Sequence, residues 1–288
     1  MDSSVAYQTR PAKPPRRWAT AGLVAFALGG GIAIFVFGTP YFEVAATNDS
    51  PIYNAIVVAT FWGLARVLRD RPGMVSFAAC SQALFVAAAA MLVMVVGPFN
   101  WLLSGDDDTI QFAVRDKLAQ FLAVVPVILL LTMAARKPGS WLYLQMGRPK
   151  RWLTFGAGSF VAIAFVVFTI ALVSGAAASE LLAATPWLLA FVALNALMEE
   201  LWFRGVFLRT YTAHMTGSLA IVVTALIFGA AHIGATYIES LGAHLLFAGL
   251  VVALGVTLAW AIRWANALWG AVLFHAGLDL VVILELID

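Results

Sequence analysis

The run Met198-Glu199-Glu200-Leu201-Trp202-Phe203-Arg204 sets two adjacent carboxylates and an arginine inside an otherwise apolar stretch. Charge at bilayer depth costs several kcal/mol per residue, so a chain that keeps three such groups together keeps them for a purpose. His232, His275 and Asp279 stand in later apolar segments. Carboxylates with imidazoles do two kinds of chemistry: they move protons to and from water, or they hold a metal ion.

Helical spacing divides the work among these residues. Neighbours on a helix point about 100° apart, whereas residues four apart share a face. Glu200 therefore stacks with Arg204, and Glu199 turns away from both. It is left unpaired in a dry place beside a like charge, the setting of a general base. The bland alternative is a structural polar knot between helices, because charge networks also form without catalysis. Two further pairs weigh against it. Phe228 and His232 are four apart, as are His275 and Asp279. Ala225 and Gly229 lie beside the first pair, Gly270 and Gly277 beside the second, and small residues let helices approach closely enough to bring polar side chains toward Glu199.

The elements that must position these groups follow from composition. Hydrophobic residues make up 62% of the 288 and charged residues 11%, where a soluble domain carries about a quarter charged. Mean hydropathy is +0.93. The fold class is therefore all-α, a polytopic transmembrane helix bundle of eight or nine spans. Apolar runs lie near 18–38, 52–68, 74–98, 118–135, 153–175, 185–208, 217–237, 241–262 and 266–286. Pro40, Pro51, Pro72, Pro98, Pro138, Pro149 and Pro186 fall at or beside their ends, where a missing backbone donor is tolerable. Pro126 falls inside the fourth run and predicts a kink. A net charge of +2 gives no reason to expect a nucleic-acid partner, and the single Cys80 excludes a disulfide framework.

Positive charge sets the orientation. With the amino terminus in the cytoplasm, 15 of the 17 basic residues face inward, and only Arg115 and Lys117 fall outside. The chain then divides into a basic cytoplasmic tail (1–17, with Arg10, Lys13, Arg16 and Arg17), amino-terminal helices (18–135), a cytoplasmic interfacial segment (136–152) and a carboxyl-terminal transmembrane part (153–288). Trp141–Trp152 reads as an interfacial helix. His214 reads as a solvated loop residue, His244 as interfacial, Gly29, Gly30 and Gly31 as helix packing, and Asp106, Asp107 and Asp108 as a solvated outer loop.

Glu199-Glu200-x-x-x-Arg204, Phe228-x-x-x-His232 and His275-x-x-x-Asp279, in this order on separate spans, resemble the CPBP family of intramembrane proteases. That family includes the CAAX proteases and the bacterial Abi-type proteins. The resemblance covers about 185–282. It implies peptide-bond hydrolysis within or at the membrane, on a membrane protein or peptide that is lipidated if the substrate is of CAAX type. It also implies that Glu199 and His232 polarise the attacking water, and that Glu200, His275 and Asp279 hold water, stabilise an oxyanion or bind metal. Arg204 would anchor the glutamate helix. If a metal is used, the implied ion is zinc on His232, His275 and Asp279, and the protein is a metalloprotease. Nothing here has the His-Glu-x-x-His compactness that fixes zinc by itself. Asp279 stands where some members have Asn, and an ionised aspartate cannot donate to an oxyanion. It therefore points to a ligand or to a residue that orients histidine. The compact design resembles the bacterial branch and implies a bacterial-type cytoplasmic membrane. Two other classes compete with a protease: a transporter, for which no internal repeat is evident, and a non-catalytic immunity or scaffold protein that retains the fold.

Overall fold

The structure, a computed structural model, describes residues 17–39, 51–103, 109–233 and 240–283. All regular elements among them are helical: α1 (Arg17–Phe35), α2 (Pro51–Arg69), α3 (Val75–Val96), α4 (Ile110–Ala134), α5 (Pro149–Val173), α6 (Ala178–His214), α7 (Gly217–Ala231), α8 (Leu241–Ala265) and α9 (Trp269–Ile283). Seven are long and apolar enough to cross a membrane, which makes this an integral, multi-pass membrane protein. The other two, α7 and α9, have 15 residues each, and they carry the histidine motifs. The basic residues of 1–16, Pro40, Asp106–Asp108, and the ends of the seventh and ninth predicted spans lie outside the described residues.

Local chemistry sets several boundaries. The charges of Arg115, Asp116 and Lys117 predict a fourth span starting only at 118, but the helix begins at Ile110. There the Thr109 hydroxyl accepts the Phe112 N–H at 3.2 Å and caps it. Pro126 lies inside α4 as predicted. Pro186 does not mark an end; it lies inside α6, which begins about two turns earlier than the apolar run. The single interfacial helix predicted for Trp141–Trp152 is absent. A short 3₁₀ turn, Gly139–Leu142, is followed by left-handed residues at Tyr143 (φ 59°) and Gly147 (φ 52°), and helix resumes at Pro149. The chain cannot stay helical through such residues. Instead it straps the α8–α9 turn: Arg148 N–H donates to Ala265 O at 2.7 Å and Leu268 N–H to Tyr143 O at 3.1 Å.

The 37-residue α6, about 55 Å long at 1.5 Å per residue, is the axis of the bundle. It packs against α4 and α9, while α7 packs on α1 and α8, and α9 also covers α5. From Leu201 to Leu208 its turns widen to the π form, and all eight residues are buried. The aromatic core forms here, with Phe35 of α1 meeting Trp202 edge-to-face at 5.1 Å and Phe203 at a tilt at 4.7 Å. The glycines act differently from the sequence expectation. A Cβ at Gly229 would meet Val252 of α8. One at Gly270 would meet Trp152 of α5, and one at Gly277 would press Phe160 of α5. These close approaches tighten α7 on α8 and α9 on α5, so the motif helices are set from behind rather than drawn onto Glu199 directly. Gly30 and Gly31 do pack closely, on Leu84 and Ile227.

Candidate active site

Every residue singled out in the three motifs meets the others around the middle of α6. Glu200 is fully buried, and its Oε1 accepts from Arg204 Nη1 at 2.6 Å, the pairing that i, i+4 spacing predicts. The Arg204 guanidinium lies 4.1 Å over the Phe228 ring, so a fixed charge on one side and a π face on the other hold it. Gly255 of α8 makes room: a Cβ there would press Ala225 and the guanidinium.

His275 is held from the same carboxylate. Its Nδ1 lies 2.9 Å from Glu200 Oε1; an ionised carboxylate only accepts, so Nδ1 carries the hydrogen. Its Nε2 then faces two further carboxylates, Asp279 Oδ1 at 3.5 Å and Glu199 Oε2 at 3.7 Å. His232 caps the carboxyl end of α7, where its Nδ1 donates to Phe228 O at 2.8 Å. That leaves its Nε2 pointing at Glu199 Oε2, also at 3.7 Å. The Phe228 ring lies beside both imidazoles, 4.7 Å from His232 and 5.8 Å from His275.

Glu199 Oε2 and Glu200 Oε2 are both buried without a direct hydrogen bond, but Glu200 is held through its Oε1 by Arg204 and His275, whereas Glu199 has only the more distant imidazoles beside it. Two imidazole Nε2 atoms face Glu199 Oε2 from different helices. The geometry can place a small polar molecule against an unpaired carboxylate and an imidazole whose lone pair faces the same point.

The donor types suit zinc, and each imidazole has its Nδ1 engaged as a zinc-bound histidine does. The spacing does not follow: among the described residues, no three His, Cys, Asp or Glu side chains are grouped to hold a metal ion. His232, His275 and Asp279 do not close into a ligand set, so no step below runs through a metal.

Sequence reasoning missed Asn195. Its Nδ2 donates to Asp279 Oδ2 at 3.1 Å, joining α6 to α9. The signal was available: a polar side chain in an apolar run, four residues before Glu199 and on its face. His214, read as a solvated loop residue, is the last residue of α6 and is half-buried. With Lys137, Trp141 and Thr210 it lines a cavity of about 210 Å³ away from the site.

Residues 180–281 match the family model of the type II CAAX prenyl endopeptidase Rce1-like proteins. Over that segment the chain is similar to the CPBP/CAAX protease family that its three motifs resemble. The matched segment runs from the start of α6 to near the end of α9 and contains all of the motif residues and Asn195. No curated protein and no solved structure matches the chain.

Proposed function

We propose that this protein is an intramembrane endopeptidase of CAAX type, which hydrolyses a peptide bond of a membrane-associated protein or peptide with water activated by Glu199 and His232. The observation that carries this reading is the pair of acceptors at the centre of the site. Glu199 Oε2 has no hydrogen-bond partner, and His232 Nε2 faces it at 3.7 Å with its own hydrogen committed at Nδ1. Two acceptors cannot satisfy each other. A water donating one hydrogen to each would satisfy both, and its oxygen would be left free to attack a carbonyl.

In the proposed reaction Glu199 takes a proton from that water as the oxygen adds to the scissile carbonyl. The same proton then passes to the leaving amine as the C–N bond breaks. His275, held at Nδ1 by Glu200 and facing Asp279, supplies positive charge or an N–H beside the developing oxyanion. Arg204 holds Glu200 in place through its 2.6 Å contact. We place the amino terminus on the cytoplasmic side of the membrane, on the strength of the basic-residue bias.

The test uses purified protein in lipid vesicles with internally quenched peptides, prenylated and unprenylated, alongside a metal assay of the same sample. Cleavage of at least one peptide, at a rate unaffected by removal of metal, supports the reading. No cleavage of any peptide contradicts it, and activity that tracks stoichiometric zinc replaces the metal-free version. A crosslinkable Glu199→Gln protein in the same membranes would then capture the natural substrate.

A further inference from the structure

The polar groups of the site form a chain that begins and ends on one helix. From Arg204 of α6 it runs to Glu200, crosses to His275 of α9, passes to Asp279 and returns to α6 at Asn195. α9 is therefore pinned to α6 at two levels, once at Glu200 and once at Asn195. Asn195 is 7% exposed and belongs to none of the three motifs.

The orientation of the Asn195 amide follows from its partner. A carboxylate accepts and does not donate, so Nδ2 must face Asp279 Oδ2. That bond occupies one Asp279 oxygen and turns the other, Oδ1, toward His275 Nε2 at 3.5 Å. Without it the carboxylate would be free to rotate, and a buried acceptor would lack a donor. The Asn195 Oδ1 itself is buried with no partner in the protein; such an atom costs about 1–3 kcal/mol and is not what packing alone would select.

Resting on the protease reading, we propose that Asn195 is a positioning residue of this site: it holds Asp279 in the one orientation that keeps His275 directed at Glu199. It acts through Asp279 and does not itself touch the reacting atoms. In this chain an amide therefore stands beside the carboxylate at the end of the third motif, supplied from the opposite helix.

The test measures kcat, KM and the pH profile of Asn195→Ala and Asn195→Asp in vesicles on the quenched peptide that the wild type cuts best, with thermal unfolding recorded for each. Asn195→Ala is expected to lower kcat about tenfold or more, with KM within about twofold of wild type. In Asn195→Asp two carboxylates face each other and keep their hydrogen bond only while they share a proton, so its optimum moves to lower pH and its rate recovers there toward wild type. A variant set that unfolds at lower temperature but keeps wild-type kcat and pH profile would overturn the proposal as mere packing. If Asn195→Ala does not fold, the pH profile of Asn195→Asp decides alone, and an unshifted optimum overturns it. Absence of cleavage by the wild type would instead sink the protease reading and this role with it.

Discussion

The helices before α6 and those from α6 onward solve the same problem in different ways. Both bury polar side chains in an apolar bundle, where an unpaired polar group is costly. In the first region three such side chains find a partner on the backbone or on a neighbouring side chain. Asn54 donates to Gly38 O at 3.0 Å, Ser81 to Phe77 O at 2.8 Å, and Gln120 to Asp116 at 2.7 Å. In the second region the groups are larger, charged and incompletely answered. Among the described residues, every buried side-chain nitrogen or oxygen without a hydrogen-bond partner lies between Asn195 and Thr224, in α6 and α7. The difference teaches where the chemistry lies: the open groups of the second region include both glutamates, the arginine and the amide of the site.

Four substitutions would break or sharpen that contrast. His275→Ala removes the contact shared by Glu199, Glu200 and Asp279; cleavage should fall on the order of a thousandfold, read as initial rate in vesicles. Arg204→Met leaves Glu200 buried without its counter-charge and should cost about 3–5 kcal/mol in unfolding free energy, read by denaturation in detergent. Gly156→Val would drive a side chain into the backbone of Gly270, since even a Cβ there would lie 2.6 Å from the Gly270 Cα. That overpacking should cost about 1–3 kcal/mol and shift α9 enough to lower kcat as well. Asn54→Ala, in the first region, should cost about 1 kcal/mol and leave kcat and KM at wild-type values. If Asn54→Ala impaired catalysis as strongly as His275→Ala, the division between the two regions would fail.

How much of this is legible in the sequence depends on whether a spacing or a distant partner decides it. Glu200 with Arg204, and Phe228 with His232, sit four apart on one helix, so the local geometry foretells their contacts and the structure has them. The all-α membrane class follows from composition alone. The contact of His275 with Glu200 spans 75 residues, and no spacing rule reaches that far; it follows only from the family resemblance. The break at Tyr143 and Gly147 is hidden for a related reason. Trp and Tyr mixed with Arg and Lys suit an interfacial helix, but the strap takes its shape from the α8–α9 turn it binds. Asn195 is missed because a lone amide in an apolar run carries meaning only once Asp279 is seen beside it.

The central claim is that Glu199, the unpaired carboxylate, activates the water. The most direct test compares initial cleavage rates of wild type and Glu199→Gln, reconstituted side by side in the same vesicles on the same quenched peptide, after matched unfolding temperatures show that both are folded. The account predicts a loss of about a hundredfold to ten-thousandfold, because glutamine keeps the size of the side chain and removes its basicity. Equal rates for the two proteins would contradict it.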